Sequence, residues 1–152
     1  KFFEASPPLS ALNTLLEYNI IPILNENDSV ATDEIGEKFG DNDELSAEVA
    51  KLVNADKLII LTDIDGVFTD NPFKNKDAKL IHSIDKIDEK TLKLATEHSS
   101  TKSRGGMKSK LKASKVASEA GIDVIIANGR QKNVIDNIIS ESIPGTLIKG
   151  KK

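Results

Sequence analysis

The sequence predicts an α/β fold in which helices cover both faces of a mostly parallel sheet. Short apolar runs, typical of strands buried on both faces, recur along the chain. Segments with apolar residues at helical spacing alternate with them, and this alternation favours crossover connections between parallel strands. At 152 residues, with 38% apolar and 30% charged residues, the chain can form one domain with a core of its own.

The first half contains two predicted helices and two predicted strands. A proline pair begins residues 7–19, whose leucines recur at helical spacing. Residues 20–24 are almost wholly apolar and are predicted as a buried strand. Asp43 is a candidate N-cap of the next helix, and residues 58–61 are predicted as a second buried strand. The core candidates of that helix are Leu45, Val49, Leu52 and Val53.

The second half continues the alternation. The predicted strands are residues 80–84, 124–127 and 146–148, the first of them at a sheet edge. The predicted helices are residues 88–98, 107–120 and 133–140. Gly121 marks the end of the middle helix. The inner stripe of that helix is predicted to be Leu111, Val116, Ala117 and Ala120.

Composition narrows the class of protein. No apolar run approaches the ~18 residues that a membrane span needs, and the opening residues have no signal-peptide pattern, so no membrane partner is expected. Without cysteine there is no disulfide framework, and a cytoplasmic location is expected. Residues 102–115 are rich in lysine. This segment is either a solvated helix face or a binding site for an anion. With so few aromatic residues, phosphate fits this segment better than nucleic acid.

The loops after residues 24, 61 and 127 should open at one sheet edge, where ligands of parallel sheets bind. The first loop holds Asn-Glu-Asn-Asp at 25–28 and Gly-Asp-Asn-Asp at 40–43. These are ordinary turn formers, but their amides and carboxylates could also bind the charged ends of an amino acid. Both interpretations stay open at this point.

The other two loops suggest a nucleotide. Residues 62–72 lack the spacing of an EF-hand, so calcium binding is not expected. They could bind a nucleotide with Mg²⁺ or form an Asx-rich turn. Gly105 and Gly106 precede a helix, where backbone N–H groups can approach phosphate oxygens. Neither a Walker motif nor GxGxxG is present, which disfavours P-loop enzymes and Rossmann dehydrogenases. His82 and His98 lack metal-ligand spacing.

Four segments resemble, in this order, the glutamate 5-kinase family, a branch of the amino acid kinases: IPILNENDSVATDEI, FGDNDELSA, ADKLIILTDIDGVFTDNP and GGMKSKLKASKVASEAGIDVIIANG. The TDxDG type of segment is shared with kinases of acetylglutamate, aspartate and UMP. The NEND and GDND segments distinguish the glutamate 5-kinase family from these relatives. The resemblance implies an open αβα sandwich of the carbamate kinase-like fold. It also implies that residues 1–152 are one amino acid kinase domain, incomplete at its N-terminus and without a PUA domain.

The resemblance also implies roles for particular residues. Glutamate would be bound by Asn27, Asp28, Asp41 and Asn42. ATP would be bound by Thr62, Asp63, Gly105, Gly106, Met107 and Lys110. The catalytic residues would be Lys110, which neutralises charge on the transferred phosphoryl group, and Asp43, which organises the catalytic groups.

The implied reaction converts ATP and L-glutamate to ADP and L-glutamyl 5-phosphate, the first step toward proline. Mg²⁺ would be carried by ATP, with no protein metal site. The resemblance further implies a dimer or tetramer and feedback inhibition by proline. Ser103-Arg104 before Gly105 and Ser109 depart from the family's usual GTGGM and threonine, and the family's N-terminal lysine-glycine-serine segment has no match. The alternatives are another amino acid kinase and a non-catalytic module that binds amino acid or nucleotide.

Overall fold

Five helices and four strands form the part of the chain that the computed structural model describes, residues 7–25, 42–97 and 106–151. The helices are α1 (Pro7–Glu17), α2 (Asn42–Leu52), α3 (Glu89–Glu97), α4 (Met107–Glu119) and α5 (Val134–Ile139). The strands are β1 (Lys57–Thr62), β2 (Ser83–Ile84), β3 (Asp123–Asn128) and β4 (Gly145–Ile148). None of these helices is long and apolar enough to cross a lipid bilayer.

The four strands form one sheet in the order β1-β3-β4-β2. β1 and β3 are parallel, as are β2 and β4, whereas β3 and β4 are antiparallel. The predicted mostly parallel sheet is therefore confirmed, with one antiparallel pair at its centre. β2 lies at the edge, as predicted, but it is shorter than the predicted residues 80–84.

Helices pack on both faces of this sheet because both faces of β3 are apolar. Val124 and Ile126 face the layer of α2 and α4, where Leu111 is fully buried. Ile125 and Ala127 point the other way and pack with Val134 and Ile138 of α5. The period-two alternation of a strand thus supplies two cores, and the predicted αβα sandwich is confirmed.

The strand predicted at residues 20–24 is wrong for this structure. The segment follows α1 but pairs with no strand among the described residues. Ile21 is 87% exposed and Ile23 is 94% exposed. An apolar run becomes a buried strand only when neighbouring strands and layers cover it, and periodicity alone cannot show whether they do.

The predicted inner stripe of α4 needs a correction. Leu111 and Ala117 are buried as predicted, but Val116 is 38% exposed and Ala120 is exposed. The small residues Ala113, Ser114 and Ser118 are buried instead, because α4 packs closely against α2 and the sheet. The Ser114 hydroxyl donates to the Lys110 carbonyl oxygen at 2.7 Å, which allows a polar side chain to be buried. Gly121, with φ +89°, follows the helix as predicted.

Candidate active site at the carboxyl ends of the parallel strands

β1 and β3 end side by side, and this edge is the natural position for a ligand. Thr62 is paired with Asn128, and the Gly129 N–H donates to the Thr62 carbonyl oxygen at 2.9 Å. α2 and α4 each lead, through a short turn, into the strand that follows and pack on the sheet. The first turns of both helices therefore lie toward the same edge, which is where the ligand-binding crevice of a parallel sheet is expected.

An ion pair joins the first turns of the two helices. Lys110 Nζ of α4 lies 3.0 Å from Asp43 Oδ2 and 3.1 Å from Asp43 Oδ1 of α2, although the residues are 67 positions apart. Each side chain is only 15% exposed. Asp43 lies inside the first turn of α2, not at the N-cap position that the sequence suggested, because the helix already begins at Asn42.

The position of Lys110 is electrostatically unusual. A cation near a helix N-terminus opposes the helix dipole, and the first turn of α4 contains no acidic residue to offset it. The carboxylate of Asp43 comes from another helix and balances this charge. The N-cap residue Gly106 has no side chain to cap the helix, and a Cβ there would meet no atom of the described residues within 4 Å. Together, Lys110 and the start of α4 can attract an anion such as phosphate.

Thr62 and Asp63 occupy the end of β1. Thr62 is half-buried, and its hydroxyl donates to Asp63 Oδ1 at 3.3 Å, while Asp63 is exposed. Both residues predicted to contact ATP in this loop therefore lie at the edge where the parallel strands end. The resemblance had already implied that these residues and Lys110 share an edge, because it assigns all three to the same ATP.

Several predicted residues lie outside the described residues. Asn27, Asp28 and Asp41 of the glutamate side, Gly105 of the phosphate loop and His98 belong to this group. Asn42 is described and exposed at the start of α2, directly before Asp43. Met107 is half-buried as the first residue of α4. The described residues thus bring together Asn42, Asp43, Gly106, Met107 and Lys110 at the starts of two packed helices.

The loop after β1 divides into two parts. Its far part is the Asx-rich turn that the sequence offered as one interpretation. There the Asn71 side chain is buried and accepts from the Phe73 N–H at 2.9 Å, and Asn75 Nδ2 donates to Asp70 Oδ2 at 2.6 Å. Its near part, with Thr62 and Asp63, remains available at the crevice.

Thr146 is a structural residue of the site that sequence reasoning missed. Its buried hydroxyl accepts from the Val67 N–H at 2.9 Å and donates to the Ile81 carbonyl oxygen at 2.6 Å. Gly66 has φ +150°, and a Cβ there would lie 2.6 Å from Thr146 Oγ1. The glycine of the TDIDG segment is therefore required for close packing against β4. A single threonine in a closing strand carries no signal for this role.

An apolar groove runs beside the candidate site. It has a volume of about 550 Å³ and lies between α2 and β1. Its lining residues are Leu24, Asn42, Leu45, Ser46, Val49, Ala50, Val53, Ala55 and Leu58. Among the described residues, the groove and the predicted site have only Asn42 in common, and the apolar walls of the groove do not suit a phosphate.

Two ionisable groups with shifted pKa values lie outside the predicted site. The Thr91 N–H, which donates to Asp88 at 2.8 Å, lowers the pKa of that carboxyl. The hydrogen bond to Asp85 raises the pKa of Lys149. Among residues 7–25, 42–97 and 106–151, no group of three His, Cys, Asp or Glu side chains is placed to hold a metal ion.

Comparison with known proteins gives a family match. Residues 7–128 match the model of the amino acid kinase family. Glutamate 5-kinase 2 of Pseudoalteromonas translucida is 51% identical over 135 residues, which are 89% of this chain and 36% of that protein. Glutamate 5-kinase of Clostridium acetobutylicum is 45% identical over 138 residues, which are 91% of this chain and 51% of that protein. The chain thus spans about a third to a half of these curated relatives.

Solved structures agree with this match. An isopentenyl phosphate kinase has a TM-score of 0.62 at 23% identity, over 92% of this chain and 50% of that chain. Carbamate kinase of Giardia lamblia bound to AMP-PNP has a TM-score of 0.51 at 27% identity, over 72% of this chain and 32% of that chain. The first likeness shows the fold alone, and the predicted carbamate kinase-like fold is confirmed.

Proposed function

The chain belongs to the amino acid kinase family, and we propose that it forms part of an enzyme that transfers a phosphoryl group from ATP to L-glutamate. The acceptor is the γ-carboxylate, and the products are ADP and L-glutamyl 5-phosphate. Relatives at 45–51% identity that are named glutamate 5-kinase support this acceptor over acetylglutamate, aspartate or UMP. The chain spans only part of those relatives, so the activity is proposed for the polypeptide that contains this sequence.

The Asp43–Lys110 ion pair is the observation that carries this proposal. Phosphoryl transfer depends mainly on positioning and on cations that stabilise charge on the transferred group. Lys110 supplies such a cation at the start of α4, where backbone N–H groups can hold the phosphates. Asp43 fixes the ammonium in place through both carboxylate oxygens and so positions the catalytic group.

ATP would extend along the crevice from the start of α4 to the end of β1. Gly105, Gly106 and Met107 would bind its phosphates, and Thr62 and Asp63 would contact it at the end of β1. Mg²⁺ would arrive with the nucleotide and neutralise the phosphate oxygens. The carbamate kinase of Giardia lamblia, whose structure contains AMP-PNP, supports a nucleoside triphosphate as the ligand of this fold.

Glutamate would bind beside α2. The proposed contacts are Asn27, Asp28, Asp41 and Asn42, whose carboxylates and amides suit the ammonium and carboxylate groups of an amino acid. Asn42 directly precedes Asp43, so a substrate bound there lies next to the ion pair. Feedback inhibition by proline at this site, a cytoplasmic location and assembly into a dimer or tetramer belong to the same proposal.

A panel of acceptors tests the proposal. The polypeptide that carries this sequence is incubated with MgATP and, separately, glutamate, acetylglutamate, aspartate or UMP, and ADP release is measured. We expect release with glutamate to exceed release with every other acceptor. Preference for another acceptor would identify that compound, and not glutamate, as the substrate. Binding of ATP and glutamate without turnover would favour a non-catalytic module.

A further inference from the structure

Three side chains tie the loop after β1 to the loop after β3. Asn128 Nδ2 donates to Asp65 Oδ1 at 3.0 Å, and Gln131 Nε2 donates to the same oxygen at 3.1 Å. Asp65 follows β1, Asn128 ends β3 and Gln131 lies in the turn before α5. We call these three side chains the Asp65 bracket.

The bracket rests on backbone that is itself held in place. Asn128 Oδ1 accepts from the Arg130 N–H at 3.0 Å, so the Asn128 amide must present its Nδ2 to Asp65. The Gly129 N–H donates to the Thr62 carbonyl oxygen at 2.9 Å. A Cβ at Gly129 would lie 3.2 Å from Leu61 Cβ, which shows how closely the two loops approach.

The bracket uses only one oxygen of the Asp65 carboxylate. Both amides donate to Oδ1, and within the part of the chain that the structure describes no donor lies on Oδ2. Nor does Asp65 form an ion pair there. The exposed Asp65 side chain therefore presents a fixed oxygen, which can only accept a hydrogen bond, at the edge where ligands of parallel sheets bind.

We propose that Asp65 determines nucleotide specificity, because its Oδ2 accepts a hydrogen bond from a neutral donor of the bound nucleoside. The donor is the 6-amino group of adenine or a ribose hydroxyl. This inference rests on the proposed function, which puts phosphates at the start of α4. α4 covers one face of the sheet and the bracket leads toward α5 on the other face, so a nucleotide that crosses the strand ends brings its nucleoside to the bracket.

Asp65→Asn is a selective test because it changes one atom of the bracket. The asparagine oxygen still accepts from Asn128 and Gln131, while its NH₂ replaces Oδ2 and converts an acceptor into a donor. Dissociation constants for ATP, inosine triphosphate, 2′-deoxyATP and 3′-deoxyATP are measured by calorimetry on wild type and variant. Inosine triphosphate carries an oxygen in place of the 6-amino group.

If the 6-amino group is the donor, the substitution should shift the ratio of ATP to inosine triphosphate affinity by ~10-fold or more toward inosine triphosphate. If a ribose hydroxyl is the donor, that ratio stays constant, and wild-type discrimination against one of the deoxynucleotides weakens in the variant. Either result supports the proposal and identifies the donor.

Gln131→Ala is the matched control, since it loosens the bracket but leaves Oδ2 as an acceptor. It should keep the direction of the wild-type preference among the four nucleotides, because Oδ2 can still accept the hydrogen bond. Unchanged affinity ratios in Asp65→Asn, with ATP still bound by the wild type, would overturn this inference and leave the proposed function standing. A wild-type protein that binds none of the nucleotides would overturn both.

Discussion

Asp43 and Lys110 hold each other across the packed first turns of α2 and α4, with both carboxylate oxygens within 3.1 Å of the ammonium nitrogen. The pair is only 15% exposed on each side, so it is less screened than a surface ion pair. The helix dipole disfavours a cation at the position of Lys110. The ion pair is therefore better explained by a role in ligand binding than by a contribution to helix stability. A cation held in this way lies at the start of α4, where a phosphate can bind.

Exchanging the two charges separates structure from function. Asp43→Lys and Lys110→Asp should each lower the melting temperature, because each places like charges together in a half-buried position. The double exchange should recover most of that stability, since opposite charges face each other again. It should not recover kinase activity, because the ammonium then stands on α2. Recovery of activity along with stability would show that the pair is structural only.

Asn42→Ala tests the glutamate side of the crevice. Loss of one hydrogen bond to a charged ligand should cost ~1.5–3 kcal/mol and so raise the KM for glutamate roughly ten- to hundredfold. The KM for ATP should change little. Steady-state kinetics with each substrate varied in turn measure both effects, and Ser46→Ala, on the same helix, serves as the control. A rise confined to ATP would reverse the assignment of the two loops.

Thr146→Val tests the anchor of the loop after β1. The substitution keeps the shape of the side chain but leaves the Val67 N–H and the Ile81 carbonyl oxygen without this buried partner. Each unsatisfied buried group costs ~1–3 kcal/mol, so urea denaturation should show a clear loss of stability. Thr69→Val removes a comparable hydroxyl bond, to the Lys79 N–H, at an exposed position where water can replace it. Equal losses in the two variants would contradict the anchor.

Local sequence signals predicted the elements that build this site. β1 and β3 appeared as short apolar runs because both faces of the sheet are covered, and Gly121 marked the end of α4. The antiparallel pairing of β3 with β4 was not predicted, because strand partners are chosen by tertiary packing. The strand prediction for the exposed residues 20–24 was wrong for the same reason.

The hydrogen-bond and ion-pair partners of individual side chains could not be predicted from the sequence. Lys108, Lys110, Lys112 and Lys115 all fit a solvated helix face, and only the structure shows Lys110 paired with a carboxylate 67 positions away. The Asp65 bracket likewise joins residues 63 and 66 positions apart. Such long-range hydrogen bonds leave no periodic pattern, so resemblance suggested Lys110, and nothing suggested Asp65.

The kcat of Lys110→Ala tests whether Lys110 stabilises the phosphoryl group during its transfer to glutamate. We expect kcat to fall by ~10²–10³-fold while the dissociation constant for ATP changes little, because the lost charge acts mainly in the transition state. Lys112→Ala, on the same helix at an exposed position, should keep wild-type kcat. A Lys110→Ala enzyme with wild-type kcat, or an equal loss in Lys112→Ala, would show that Lys110 does not have this role.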